Sequence, residues 1–585
     1  MIRLTELKLP LDHSPADLAA LMRKTLGLDA ATALHYEVFK RSIDARKANL
    51  LVVYIVDLQL ASPAEERALL ASLTGHPHLG PTPDMAYWLP SPVPSGRAGA
   101  SALRPVVVGF GPCGILAALL LAQMGLKPIV LERGKPVRER TRDTWDLWRN
   151  GILHPESNAQ FGEGGAGTFS DGKLWSQIKD PRHLGRKVMH ELVRAGAPPE
   201  ILVDAHPHIG TFRLVKVVEN MREQIIALGG EVRFGQRVTD VTLQHCAPDV
   251  DGRLQRVQAV TVLDVLSGAS YELPAAHAVL ALGHSARDTF AMLHARGVFM
   301  EPKAFSIGFR IEHPQGVIDR ARWGRHAGHP ALGAAEYRLV HHASNGRAVY
   351  SFCMCPGGTV VAATSEVGCV ATNGMSQYSR NERNANAGIV VGITPEDFPS
   401  EAAALNAMLA SAIAQAPTTA ERAAPSAMSG VHPLAGIVLQ RQLEAGAYTL
   451  GGSNYRAPAQ LLGDFVASRA STRLGGVVPS YKPGVALTDL SRALPDYAIH
   501  AIREALPMFG RRIKGFDMPE AVLTGVETRT SSPVRLTRGA DFQSVSARGL
   551  YPAGEGAGYA GGILSAGVDG IRMAEAVAAQ LAAEN

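Results

Sequence analysis

The sequence predicts an α/β protein. A nucleotide-binding βαβ unit is completed by a late chain segment, a large mixed region lies between the two, and a small α/β module stands in front. Three observations predict this. An apolar strand, Val106–Val108, runs into Gly109-Phe110-Gly111-Pro112-Cys113-Gly114 and then an apolar helix. A second glycine-rich turn, residues 554–563, opens the last helix. Residues 1–90 alternate between period-two and helical patterns in the order βαββα.

The bulk composition permits such a fold. The chain has 585 residues, 46% of them hydrophobic, enough for several cored domains. Its 58 Lys and Arg against 53 Asp and Glu leave a net charge of +5, spread without a basic run, so nucleic acid is not an expected partner. Five scattered cysteines do not form a secreted disulfide framework, and no signal-peptide pattern opens the chain. The apolar helix after Gly114 is far shorter than the ~20 residues of a membrane span. The expectation is a cytoplasmic protein with no membrane association.

In the N-terminal module, residues 2–9 alternate as a half-buried strand, and Ser14-Pro15-Ala16-Asp17 opens a helix to residue 26. Residues 36–44 and 50–60 read as strands, and Ser62-Pro63-Ala64-Glu65-Glu66 starts a second helix. This order predicts a ferredoxin-like module over 1–90. Residues 91–104, rich in Pro, Ser and Gly, read as a linker.

The glycine loop carries the strongest chemistry. Gly109 allows the sharp strand-to-helix turn, Gly111 lets backbone N–H groups reach a pyrophosphate, and Gly114 lets helix and strand pack closely. Pro112 and Cys113 open the helix, whose N-terminus favours anions. Glu132 ends the next strand about 20 residues on, where an acid accepts hydrogen bonds from ribose hydroxyls, and Arg133 follows it. An acid there disfavours a 2′-phosphate.

The late segment Tyr551-Pro552-Ala553-Gly554-Glu555 and Gly561-Gly562-Ile563 decides between dinucleotides. A strand ends at Gly554, an acid follows, and Gly561-Gly562 opens a helix. That arrangement places a carboxylate on a ribityl chain and aims a helix N-terminus at a flavin's pyrimidine edge. The expected cofactor is FAD.

Several longer stretches then match a known group: residues 161–174, 281–288, 352–358, 372–376, 528–535 and 554–563. Through them nearly the whole chain resembles a bacterial family of uncharacterised FAD-dependent dehydrogenases, related to the glutathione-reductase-type flavoproteins with two dinucleotide-binding folds. Cys113 stands where that family often has a smaller residue. The resemblance implies a discontinuous glutathione-reductase-type, Rossmann-like FAD-binding domain with an inserted mixed α+β substrate domain. The expected divisions are 105–300 and 524–585 for FAD and 301–523 for the substrate or cap domain. It implies no substrate.

Further residues are candidates. Gly165 and Gly167, in the 161–174 loop, let main chain pass close to a flat ring, and Asp171 and Lys173 offer hydrogen bonds to flavin or substrate. A compact surface loop is the alternative. Gly283 and His284 follow a short apolar strand that returns the chain to the cofactor, with Arg287 just beyond; a structural histidine fits equally well. Arg529 offers a fork for a substrate carboxylate, or a structural ion pair. Cys353 and Cys355 are read as buried apolar cysteines rather than a redox pair or zinc ligands, since zinc sites use more ligands. Cys113, at a helix N-terminus, is expected to have a lowered pKa. No metal is expected.

The chain has no second glycine fingerprint in a βαβ context, no phosphate-binding P-loop and no serine nucleophile elbow. The expected activity is hydride transfer between flavin N5 and a small organic substrate, with Lys173, His284 and Arg529 as candidate catalytic residues and NAD(P)H as a transient donor. A flavin-bearing binding or redox-sensor protein is the competing class, and a flavin monooxygenase a third.

Overall fold

The computed structural model describes residues 1–29, 32, 34–46, 48–90, 103–400, 403–407 and 430–584. The expected linker at 91–104 falls mostly outside them, and so does the Ala-rich stretch 401–416, whose composition predicts a helix.

The N-terminal module is a four-stranded antiparallel sheet with two helices. Ile2–Pro10 lies between Leu51–Gln59 and Leu79–Pro81, and His35–Asp44 forms the far edge. Alternate residues Ile2, Leu4, Leu7 and Leu9 are buried beneath Leu18 and Met22 of the Pro15–Leu26 helix. That helix starts at a reciprocal Ser14–Asp17 capping box. The fourth strand, Leu79–Pro81, was not legible: three residues show no period. Arg41 docks the module on the body, exchanging backbone hydrogen bonds with Val203 and Ala205 and pairing with Asp204 at 2.7 Å.

The body begins with a five-stranded parallel sheet ordered Leu550–Pro552, Ala278–Leu280, Val106–Val108, Ile129–Glu132, Glu231–Phe234. Strand order reverses beside Val106–Val108: the next two in the chain lie on one side and the last two on the other. Such a switch point opens a crevice at the carboxyl ends of the strands, where ligands bind. The helix Pro112–Gln123 is buried on all sides, as its unbroken apolar sequence requires. The closing helix Ile563–Glu584 lies against it so closely that a Cβ on Gly570 would sit 2.3 Å from the Cys113 carbonyl oxygen.

A second sheet is mostly antiparallel. Its order is Val340–His342, Ala348–Ala362, Asn384–Ile393, Phe305–Pro314, Val522–Glu527, Ala457–Leu461, Val485–Leu487, with Thr372–Ser376 beside Ala348–Ala362. Phe305–Pro314 is its buried spine, covered by the helices Ala435–Leu450 and Asp496–Arg512. The expected division at 523/524 therefore cuts a strand. Val522–Glu527 is hydrogen-bonded between Phe305–Pro314 and Ala457–Leu461, and the chain rejoins the parallel sheet only at Leu550–Pro552. A smaller antiparallel sheet, Gln236–His245, Gln255–Asp264 and Ser270–Pro274, packs at the side. Among the described residues, no helix is long and apolar enough to cross a membrane.

Candidate functional site

The site is built from the ends of the parallel strands. Gly109 has φ +99°, and a Cβ there would lie 2.5 Å from the Ala281 carbonyl oxygen, so the turn accepts only glycine. Gly114 packs against Gly109, where a Cβ would meet the carbonyl oxygen at 2.0 Å. Gly111 is the helix N-cap and provides no side-chain cap, leaving the first-turn N–H groups for another acceptor. Gly165 crosses over it: a Cβ on Gly165 would lie 2.9 Å from the Gly111 Cα.

The 161–174 loop owes its path to two buried charges that sequence reasoning missed. Arg140, with no exposed surface, donates to the carbonyl oxygens of Asn158, Ala159, Gly162 and Glu163. Burial pulls its pKa down to about 10. Glu163 accepts from the Val137 N–H and from Arg222. Only an arginine in the midst of a charged helix pointed to this, and the sequence holds many.

Glu132 is also committed. Its carboxylate accepts from the N–H groups of Phe110, Gly134 and Gly162 at 2.8, 2.9 and 2.9 Å. A carboxylate has roughly four acceptor positions, so about one remains for a ligand. Arg133 stacks over Phe161 and pairs with Glu156 and Asp288 at 2.7 and 3.0 Å.

At the other end, the Gly554 N–H donates to Asp569, which pairs with Arg538 at 2.7 Å. This carboxylate, from inside the closing helix, was not anticipated. Glu555 extends toward His284, with Nδ1 and Oε1 3.5 Å apart. His284 is 9% exposed, and its Nε2 is buried without a hydrogen-bond partner. A Cβ on Gly167 would lie 3.1 Å from Ile563, so the loop also meets the start of the last helix.

These segments enclose one cavity of about 920 Å³. The residues Gly109–Cys113, Glu132 and Arg133 line one part of it, and Gly165, Gly167 and Lys173 another. Gly283, His284, Arg529, Glu555 and Gly561–Ile563 line the rest. Gly114 and Gly554 stand behind, one against the strand and one against Cys113. The residues fit an extended dinucleotide: a bare helix N-terminus in a glycine cradle, a partly free carboxylate, and an unpartnered imidazole nitrogen.

Arg529 takes the second of its two readings, and the expectations for Cys113 and Cys353 are corrected. Arg529 does not present a free fork. Its Nε and one terminal nitrogen hold Glu444 at 3.0 and 2.7 Å, and the other donates to Ser285 and Ser365. Arg287 likewise is buried against Glu444 and Glu366. Burial opposes ionisation of Glu444, yet Arg287 and Arg529 hold its carboxyl well below the usual range. The Cys113 thiol is raised, not lowered: burial comes first and the Asp569 charge adds to it, outweighing the helix end. Cys353 is half-buried and lines the cavity, whereas Cys355 is buried behind it. Lys173 donates to the Met354 carbonyl oxygen and lies 3.9 Å from Asp171, which Arg380 holds.

Residues 304–530 match the family described as FAD-dependent protein, C-terminal domain-like, and residues 1–59 match a domain of unknown function, DUF8436. An uncharacterised protein of Clostridium beijerinckii is 44% identical over 578 residues, 98% of each chain. Among solved structures, E. coli quinol fumarate reductase FrdA is 12% identical with a TM-score of 0.34, the match covering 82% of this chain and 70% of that one. A flavoprotein/dehydrogenase from Cytophaga hutchinsonii is 15% identical with a TM-score of 0.25, covering 54% of this chain and 61% of that one.

Proposed function

The chain belongs to a family of FAD-dependent proteins, and from that premise we propose that it is an oxidoreductase moving a hydride between the flavin and a small organic substrate. The observation that carries the proposal is the convergence of two helix starts, those of Pro112–Gln123 and Ile563–Glu584, on one cavity bridged by the 161–174 loop. That convergence supports a Rossmann-like, glutathione-reductase-type FAD domain assembled from separated segments. The strand order of the N-terminal sheet supports a ferredoxin-like module in front of it.

Bound FAD supplies a two-electron centre that accepts or donates a hydride. The chain's residues do the rest. The N–H groups after Gly111 hold the pyrophosphate, helped by the partial positive charge of the helix end. Glu132 offers its remaining acceptor position to the ribose and keeps the loops around it fixed. The N–H groups at the start of Ile563–Glu584, which line the cavity, would stabilise negative charge on the flavin. His284 and Glu555, which line the cavity side by side, would hold the ribityl chain. Lys173 anchors the flavin loop to the second sheet, and residues 350–354 of that sheet, with 336–339 just before its edge strand, close the cavity against water. NAD(P)H is proposed as a transient donor.

The test is rapid mixing of the FAD-loaded protein with NADH or NADPH without oxygen. Prompt bleaching of the flavin is expected, and a flavin that no donor or organic substrate bleaches overturns the reading.

A further inference from the structure

We propose that Cys353 and Cys355 are a redox-active dithiol–disulfide pair that exchanges an electron pair with the flavin. The proposal rests on the cavity being the flavin site. Four features of the structure carry it.

The first is backbone shape. In the ladder between Ala348–Ala362 and Asn384–Ile393, Phe352 faces Gly388 and Cys355 faces Asn386, so one strand has an extra residue. Such a bulge re-aims side chains and recurs beside active sites. Cys353 has φ +43°, a conformation that a non-glycine residue adopts only under the constraint of its surroundings.

The second is the hold on that bulge. Wholly buried Arg310 donates to the Cys353 carbonyl oxygen at 2.8 Å and pairs with Glu527 at 2.9 Å. Lys173, from the loop that borders the flavin site, holds the next carbonyl, that of Met354. The bulge is thus tied both to the sheet and to the flavin loop.

The third is the relation of the thiols. The Cys355 thiol donates to the Cys353 carbonyl oxygen at 3.4 Å, which folds its side chain back toward Cys353. Residues two apart on a strand are roughly 6.6 Å apart at Cα, at the upper end of the range that disulfides span. Cys353 opens on the cavity and Cys355 is closed off behind it, as an exchanging thiol and its partner should be.

The fourth is charge. The hydrogen bond with Cys355, then Arg310 and Lys173, hold the Cys353 thiol below the ordinary range against its burial. Cys355 is held above it by the same pairing and by burial. One thiol is poised as the nucleophile and the other as its protonated partner. Cys369 shows the contrast: burial and the Glu444 charge push it up to about 11.

The step balances. The two S–H bonds break and one Sγ–Sγ bond forms, releasing two electrons and two protons. The oxidised flavin takes the electron pair and one proton, and the other proton leaves to solvent. Run in reverse, reduced flavin regenerates the dithiol.

The test uses the FAD-loaded protein, air-oxidised and then freed of oxygen. Its thiols are alkylated in denaturant and mapped by peptide mass, and a parallel sample is titrated with dithionite. The expected result is a Cys353–Cys355 crosslink and a twofold greater demand for reductant per flavin than in Cys353→Ser and Cys355→Ser. Cys369→Ser should behave as the parent. A yellow parent protein in which both cysteines alkylate fully, and whose titration ends at one reductant equivalent per flavin, overturns the proposal alone. A chain that binds no FAD overturns the site assignment and this proposal with it. The parent measurement stands even if a serine variant fails to fold.

Discussion

Gly165 lies so close to Gly111 that a Cβ added to it would stand 2.9 Å from the Gly111 Cα. Two glycines from separate segments thus meet backbone against backbone, and both line the cavity. Gly111→Asp adds bulk and negative charge at the proposed pyrophosphate site, and Gly165→Val pushes the loop away. Both variants should purify without flavin, with at least a tenfold weaker FAD affinity, while far-UV circular dichroism stays unchanged. Full flavin content in either variant sinks the loop assignment.

Arg529 is joined to Glu444, which has no exposed side chain, at 2.7 Å. Arg529→Ala leaves a buried carboxylate with Arg287 as its main partner, and breaking such a pair costs about 3–5 kcal/mol. A lower denaturant midpoint is expected with and without FAD. If Arg529 instead served only to bind substrate, stability would hold and KM alone would rise. Arg529→Lys should recover little, because an ammonium does not fork.

His284 lines the cavity, its Nε2 is buried without a hydrogen-bond partner, and the proposed function gives it a part in turnover. His284→Ala should retain flavin yet reduce its donor-driven bleaching by about 10²–10⁴, the usual contribution of proton transfer by a positioned side chain. Stopped-flow absorbance checks this, and an unchanged bleaching rate removes His284 from the chemistry.

Stability should fall on mild acidification. Burial pulls His294 down to about 4, with the His432 charge adding to it, and burial pulls His313 to about 4. Both lie below the unfolded value of about 6.5, so the unfolded chain binds more protons in that window. The stability is present above about pH 6.5 and is lost as pH drops through 4. Burial raises Glu366, but Arg287 and Arg441 outweigh it and bring it to about 2, which adds a further loss below about pH 4.3. Urea midpoints should hold steady from pH 8 to 7 and then decline in two limbs. His313→Gln, which keeps a donor for the Phe516 carbonyl oxygen, should flatten the first limb. A flat midpoint down to pH 5 contradicts the assignment.

Much of this was legible before the fold was known. The strand, turn and helix around Gly109–Gly114 were readable because their signals are local: an apolar triplet, glycines at set offsets and a continuous apolar helix. The capped helix Pro15–Leu26 was readable for the same reason. Leu79–Pro81 was not, since its strand character comes only from pairing with Ile2–Pro10. The division at 523/524 failed because Val522–Glu527 has the same apolar pattern whichever sheet takes it. Gly114 packs helix against strand as its spacing predicts, and Gly554 packs against Cys113.

What the sequence determined by itself was where backbone must bend or come close to something. Glycine spacing answers to sterics within a few residues, and those do not depend on the rest of the molecule. What only the tertiary structure decided was the employment of charged and reactive side chains. Arg529 went to Glu444, Glu132 to three backbone N–H groups, and Cys353 to the cavity wall. A buried charge takes its partner from whatever the packing brings within reach, and that partner lies far away along the chain. The order of residues names the candidates; desolvation and proximity choose among them.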